Sequence, residues 1–522
     1  MSKVLTLFIA ATMLAVFCGC PAQQQAVEET PAPVEETPAV EEPPAVEETP
    51  AAEETPAAEE TPAAEETPAA EIPAVEETSA AKEAPAAEAK AVDFSVAWCT
   101  DDDPKVAAKT AATKAIAGLG CPAKGLIFYE YFPKTIKDAD GNDKDVTDPE
   151  ADKLVLPAIR EAAPDVPTIG CRARSLVSGG TMVKNTVSVL AIGGENVSCQ
   201  VTKAALADDR KAVGTSIGEK FKDVKDLKLV FALSEMSLSF ETKEGVSVED
   251  FIRGINESCG EDVTLFGGNC LPNDYPADKG GLQYIDDESL EGHVVAMAIG
   301  GPIAVHANHT NEFTPSVETP VVTKAKDKWI IQLDNKPAAE VYRKLRGMPD
   351  DEKFTSDSEH PIGVVVTPEK VYLRMILDWI DAEGKDLAGE ASDLPSGSLL
   401  FVAAVPEGTK IKVLKGGGDP NAILESAKEG ILESVQQAGD AKPLLALLSD
   451  CCARGFRLRG LRKADECEIR QAIIPALKDK GEFPIFGFYA WGELGPIAGP
   501  FAGLNCMYQQ HTFVSAVVTE EK

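Results

Sequence analysis

Residues 227–269 read LKLVFALSEMSLSFETKEGVSVEDFIRGINESCGEDVTLFGGN, and three patterns follow one another there. Leu227 to Leu233 is a nearly continuous apolar run of strand length. In Ser247 to Ser258 the apolar residues Val248, Phe251, Ile252 and Ile255 recur at helical spacing. They stand behind Ser247, a residue type suited to capping a helix. Thr264 to Asn269 reads as a strand end, with Gly267-Gly268 as a turn. Strand, helix and strand in that order predict α/β layering.

The flanking sequence repeats the theme. Val183 to Ile192 (VKNTVSVLAI) alternates like a strand, and residues 291–300 contain the apolar run HVVAMAI. Ile330 to Leu333 is a short strand, and Pro337 to Leu345 a helix with Pro at its start. Residues 346–362 are polar and acidic, with Met348-Pro349-Asp350-Asp351-Glu352, and read as a domain junction. Beyond it, IGVVV (362–366), VYLRMIL (371–377) and SLLFVAAV (398–405) read as strands. Asp419 caps a predicted helix that opens on Pro420 and runs to Gln437. Leu444 to Leu448, Phe483 to Tyr489 and Val514 to Val518 are strands, with a helix over 465–477. The expectation is an α/β protein of two layered domains with mixed sheets, 93–345 and 346–522.

Composition bounds the rest. The chain has 522 residues, 44% hydrophobic and 26% charged, which excludes collagen, a coiled coil and a polytopic membrane protein. Residues 21–92 are set apart by Ala, Glu, Pro, Thr and Val, with no aromatic residue, and such a segment buries no core. Glu-Glu-Thr-Pro-Ala-Ala recurs every six residues between Glu47 and Ala70. Proline in every repeat blocks helix, and dense Glu repels itself, so an extended, disordered stalk is predicted whose function is spacing. The stalk holds 19 Glu against Lys82 and Lys90, yet the chain's net charge of −35 leaves the remainder acidic as well. An acidic surface repels phosphate backbones, so nucleic acid is not an expected partner.

Met1 to Cys20 reads as an export signal. Lys3 supplies a positive start, and Val4 to Phe17 is an uncharged run too short for an ordinary spanning helix. The run ends at Phe17-Cys18-Gly19-Cys20. This resembles the lipobox of bacterial lipoproteins, although Phe17 stands where an aliphatic residue is usual. The resemblance implies lipidation at Cys20 and a lipid anchor in the bacterial cell envelope, on the inner or the outer membrane. The alternative is a plain secretory signal and a secreted protein. The cysteines are Cys18, Cys20, Cys99, Cys121, Cys171, Cys199, Cys259, Cys270, Cys451, Cys452, Cys467 and Cys506. Export permits pairing, but they are too sparse for a disulfide scaffold, and their connectivity stays open.

Five short motifs point further. Asp450-Cys451-Cys452-Ala453-Arg454-Gly455 follows an apolar run, and Gly487-Phe488-Tyr489-Ala490-Trp491-Gly492-Glu493-Leu494-Gly495-Pro496 comes some thirty residues later. His511-Thr512-Phe513 precedes the last strand. Earlier, Val321-Val322-Thr323-Lys324-Ala325 precedes Gln332-Leu333-Asp334-Asn335-Lys336-Pro337-Ala338-Ala339-Glu340-Val341-Tyr342. In order and spacing these resemble the FIST family, with paired N-terminal and C-terminal FIST domains over nearly all of 93–522. The resemblance implies a sensory, signal-transduction module that binds a small ligand, an amino acid or a related metabolite. Catalysis is not an established property of the family. The chain carries no recognisable kinase, methyl-accepting or cyclase segment, so an unidentified protein partner would receive the signal.

The candidate ligand-binding residues are Arg374, Cys451, Arg454 and Glu493. Cys451 and Arg454 match the family's Cys-x-x-Arg-Gly element, at the C-terminal end of a predicted strand, where α/β sheets bind ligands. A guanidinium fork suits a carboxylate, and Glu493 would receive an amine or pair with Arg454. Arg374 alternates with apolar residues on its strand. The competing reading makes Arg374, Arg454 and Glu493 structural ion pairs. Cys451 also allows a cysteine-dependent hydrolase or acyltransferase, but no histidine is paired with it by motif, and a thiolate nucleophile needs a nearby base or positive charge. A third reading is a structural surface protein.

No cofactor or metal is expected. His306-x-x-His309 falls in a segment read as a loop. Asp138 to Asp145 looks like a calcium loop, but it lacks the sixth-position Gly and has Pro149 at the twelfth. Walker A, Gly-x-Ser-x-Gly and His-Glu-x-x-His patterns do not occur.

Overall fold

The computed structural model describes residues 90–137, 143–176, 184–240, 245–271, 281–349, 361–416, 419–461, 468–501 and 503–521. The expected signal, stalk and Cys20 lie outside them. The described residues form one compact unit, built from a strand–helix pattern used three times.

The first copy runs β1 (Asp93–Thr100), α1 (Pro104–Ala117), β2 (Ala123–Tyr131), α2 (Pro149–Ala162), β3 (Thr168–Arg172), β4 (Ser175–Leu176) and β5 (Thr186–Gly193). β1 pairs antiparallel with β5, β5 antiparallel with β2, and β2 parallel with β3. The second copy runs β6 (Ser198–Ala205), α3 (Arg210–Phe221), β7 (Leu227–Ser234), α4 (Val248–Cys259), β8 (Thr264–Asn269), β9 (Gln283–Ile285), β10 (Glu288–Leu290) and β11 (His293–Gly300). Its pairings are the same: β6 with β11 and β11 with β7 antiparallel, β7 with β8 parallel. The third copy starts with β12 (Ile303–Thr310) and continues with α5 (Pro420–Gln437), β13 (Pro443–Cys451), α6 (Cys452–Leu461), β14 (Ile485–Ala490), β15 (Glu493–Phe501), β16 (Leu504–Gln509) and β17 (Phe513–Glu520). Here too β12 pairs antiparallel with β17, β17 antiparallel with β13, and β13 parallel with β14.

The copies interlock by exchanging strands. β4 of the first copy extends the third sheet beside β14, β9 of the second extends the first sheet beside β3, and β15 of the third extends the second sheet beside β8. The halves 93–345 and 346–522 therefore share sheets. Residues 314–415, between β12 and α5, add two smaller sheets and a helix at Ala338–Arg346, and the junction expected near 346 falls inside this insertion.

Burial explains the strand compositions. One face of every main sheet turns to a common centre, where Ile127, Tyr129, Leu229, Phe231, Leu445 and Leu447 meet. The opposite faces carry the helices: Leu126 and Phe128 under α1 and α2, Val230 and Ala232 under α3 and α4, Ala446 and Leu448 under α5. With both faces covered, β7 and β13 read as continuous apolar runs rather than alternating ones.

The helix starts match their sequence signals. Ser247 Oγ accepts from Glu249 N at 3.3 Å, and an Asp419 carboxylate oxygen from Asn421 N at 2.9 Å. Gly267 and Gly268 differ from expectation. They lie inside β8 at φ 138° and 154°, because a Cβ on Gly267 would stand 2.0 Å from the Ala232 oxygen of the adjoining strand. His306 and His309 also differ, sitting on β12 rather than in a loop. His306 Nε2 bonds Thr519 Oγ1 and His309 Nε2 meets the Val371 carbonyl, so the two imidazoles serve different neighbours.

Candidate functional site

The third sheet carries the motif residues at the C-terminal ends of its parallel strands. β13 ends on Asp450-Cys451 and α6 begins at Cys452. β14 ends at Ala490, and Glu493 opens β15 after the turn. Arg454, in the first turn of α6, thus points back toward the end of the strand it follows. It is wholly buried. Its Nε donates to an Asp450 carboxylate oxygen at 2.8 Å, Nη1 to Ser426 Oγ at 3.1 Å and to Glu312, and Nη2 to the Ile423 carbonyl at 2.9 Å. Every guanidinium nitrogen is engaged, and the acidic partners are Glu312 and Asp450 rather than Glu493.

These partners titrate in opposite directions. Burial alone would raise Glu312, but Arg454, His511 and Arg457 outweigh it and hold Glu312 below the usual carboxylate range. Asp450 is pushed well up by burial and by Glu468, against the pull of Arg454. Arg454 therefore favours the charged form of Glu312, while burial and Glu468 disfavour that of Asp450. His511, at a positive φ of 53°, is pushed down to about 4 by burial, although Glu312, 3.9 Å from its Nδ1, favours the proton.

Glu493 is also wholly buried. Its Oε2 accepts from Thr512 N at 3.2 Å and Thr512 Oγ1 at 2.7 Å, and its Oε1 has only the Cys451 thiol beside it. Burial, then the neighbouring Cys451 thiol, raise it well above its ordinary value and so disfavour its charged form. Cys451 lies beside it. Burial and the Cys452 thiol push Cys451 up, while the backbone N–H groups of Ala453 and His511 pull it back. No imidazole among the described residues activates it: the contact with His511 is through the backbone.

The structure brings Cys451, Arg454 and Glu493 together. Arg374 is separate, on a strand of the insertion (Val371–Arg374). It is fully buried, donates through Nη1 to the Tyr508 carbonyl at 2.8 Å and through Nη2 to Glu249 at 2.6 Å, and stacks 4.5 Å from the Tyr372 ring centre. Glu249 is the second residue of α4. At the start of that helix opens a cavity of about 390 Å³, bounded by Ser247, Lys328, Trp329, Asp393 and Leu394.

Sequence reading missed Glu312, Asp450, Glu468 and His511 as members of this cluster. Asp450 and His511 stood inside quoted motifs, but Glu312 lies 142 residues from Arg454 and gave no local signal.

Comparison with known families finds the FIST N domain over residues 146–336 and the FIST C domain over residues 338–496. Together they cover more than half of the chain. The chain belongs to the FIST family. FIST domains are sensory modules that bind small ligands in signal transduction, and they are not an enzyme family. Arg374, Cys451, Arg454 and Glu493 all fall within the FIST C match.

No curated protein matches the chain. Among solved structures, cyanuric acid hydrolase from A. caulinodans aligns over 83% of this chain and 100% of its own, at 9% identity and a TM-score of 0.29. PurL of T. maritima complexed with FGAR aligns over 82% of this chain and 73% of its own, at 10% identity and a TM-score of 0.20. The T. maritima PurLQS structure gives 82% and 72%, again at 10% and 0.20. Scores this low carry no argument about this FIST protein.

Proposed function

We propose that this chain is a lipid-anchored sensory protein of the bacterial cell envelope. In this reading Cys20 carries the lipid, residues 21–92 space the module from the membrane, and the FIST module binds a small carboxylate-bearing metabolite of the amino-acid type. It passes the signal to a separate protein rather than transforming the ligand.

The observation that carries the ligand reading is Glu493 Oε1, a buried carboxyl oxygen with only the Cys451 thiol beside it, at the C-terminal end of a parallel strand pair. Buried polar atoms are nearly always satisfied, and exceptions gather where a ligand or ion completes the set. Glu493 and Cys451 offer that incomplete set. Arg454 acts beside them by holding the strand end through Glu312 and Asp450. Arg374 acts through Glu249, on the helix that borders the 390 Å³ cavity.

A thermal-shift screen of the mature chain against amino acids and small carboxylates tests the ligand. At a hundred times its dissociation constant, a ligand adds about 2.7 kcal/mol to stability, a shift of a few degrees. A blank across the panel would remove the reading. For the anchor, Cys20→Ala should release the protein from membranes. Retention of that variant in the membrane fraction, without lipid, would remove the anchor.

A further inference from the structure

Arg174 stands at the C-terminal end of the first sheet's parallel pair, two residues beyond β3. Its carbonyl accepts from Tyr489 N of the third sheet at 2.9 Å, so it bridges two of the three copies. Its guanidinium lies against two rings, 4.8 Å from the centre of Tyr131, the last residue of β2, and 5.3 Å from that of Phe456 in α6. Nη2 donates to Tyr131 Oη at 2.9 Å, and Nε is buried with no acceptor.

Among the described residues it pairs with no acid. Arg172, Arg374 and Arg454 are buried and hold carboxylates, Asp152 and Glu130, Glu249, and Glu312 and Asp450, and the buried Arg210 holds the Ala207 and Ser237 carbonyls, whereas Arg174 is only partly buried. Among the described residues Arg174 forms no ion pair. Asp145, which influences Tyr131, is itself taken by Lys184 at 2.6 Å and by Thr135. In a chain of net charge −35, a partly buried cation set against two rings, with no anion among the described residues, is suited to receive one. Guanidinium forks bind carboxylates through two parallel N–H donors, and stacking fixes the plane in which they point.

The surroundings define the ligand's body. Phe456 meets Trp491 edge-on at 6.5 Å, and Met236 and Leu271, just past β7 and β8, join the same apolar cluster. Strand ends of all three sheets thus converge around Arg174, at the carboxyl ends where such sheets bind ligands.

We infer that Arg174 is the receptor for the ligand's carboxylate, with an apolar body resting on Phe456. This deepens the small-carboxylate reading and rests on it, while assigning the anion contact to a residue outside the Cys451 cluster. The ligand's oxygens take the free donors of Arg174, and Tyr131 Oη sets the angle of the fork.

The test is calorimetric titration of the mature full-length protein with sodium benzoate, sodium acetate and the common amino acids. Benzamide and acetamide serve as neutral matches. Carboxylates should bind at least about tenfold more tightly than their amides, equivalent to about 1.4 kcal/mol. Arg174→Gln should abolish that preference, and Arg174→Lys, which keeps the charge without the fork, should keep part of it. Tyr131→Phe, which removes one hydroxyl, should weaken carboxylates several-fold and amides not at all. This keeps the test valid if Arg174→Gln folds poorly. Wild-type carboxylate affinity in folded Arg174→Gln and Tyr131→Phe would overturn the assignment and leave the small-carboxylate function standing. No carboxylate binding to the wild-type chain would overturn both.

Discussion

Gly487 faces Leu448 across the parallel pair of the third sheet, and a Cβ there would lie 2.5 Å from the Leu448 carbonyl oxygen. Gly267 stands in the same relationship to Ala232 in the second sheet, and in the first sheet Gly170 faces Phe128, whose ring rather than its carbonyl fills the space. Two residues on from each glycine stands a polar residue: Arg172 opposite Glu130, Asn269 opposite Ser234, Tyr489 opposite Asp450. The three copies are alike in placing a glycine at this register position and a polar residue two positions on.

Glycine substitution at these points should therefore cost stability. Gly267→Ala sets a methyl against backbone oxygen at a φ of 138°, which L side chains rarely adopt. A loss of about 1–3 kcal/mol or more is expected in urea unfolding. At Gly170 the obstacle is the Phe128 ring, which can shift, so Gly170→Ala should cost less. Equal or reversed costs would contradict the packing argument.

Arg454→Met should destabilise by about 3–5 kcal/mol, because Glu312 would be left as an uncompensated buried charge. The double variant Arg454→Met with Glu312→Gln should recover a large part of that loss. Additive losses in the double-mutant cycle would show that the two residues do not act as a pair.

Cys171, Cys451 and Cys506 should be inert in the native protein. Burial pushes each thiol well above its usual range, so the reactive thiolate is scarce at neutral pH. Labelling with a disulfide reagent should modify them only at the rate of unfolding. Rapid modification of native Cys451 would revive a nucleophilic role for it.

The first sheet should give a pH signature. Glu130 is raised to about 8, first by burial and then by Asp152, while Arg172 and Tyr284 pull it down. Asp152 bonds Arg172 directly, whereas Glu130 Oε1 is 3.7 Å from Arg172 Nε, so Glu130 carries the proton that the pair shares. A carboxyl raised on folding contributes stability below its unfolded pKa and loses it as pH rises through the folded one. Wild type should thus lose stability relative to Glu130→Gln between about pH 4.5 and 8, at up to about 1.4 kcal/mol per pH unit. A pH-independent difference between the two proteins would mean that Glu130 does not titrate in this window.

Much of this was visible in one dimension. Leu227 to Leu233, Ser247 to Ser258 and Thr264 to Asn269 became β7, α4 and β8, with the cap at Ser247. Local chemistry decides such elements, because apolar periodicity and capping are properties of neighbouring residues. The threefold reuse was written more faintly. AIGG occurs at 191–194 and again at 298–301, closing the first and second copies, and the third copy lacks it. The insertion at 314–415 then separates β12 from the rest of its copy and hides the repeat.

By itself, the sequence determined the α/β class, the family, the helix starts at Ser247 and Asp419 and the motif that unites Cys451 with Arg454. Each of these depends on residues close together along the chain. Only the tertiary structure decided that Arg454 answers to Glu312 and Asp450, that burial drives Glu493 toward its neutral form, and that Arg174 meets no acid among the described residues. Those outcomes depend on which side chains meet across sheets and on how deeply they are buried. A charge's partner and its desolvation are properties of the packed molecule rather than of its residue type.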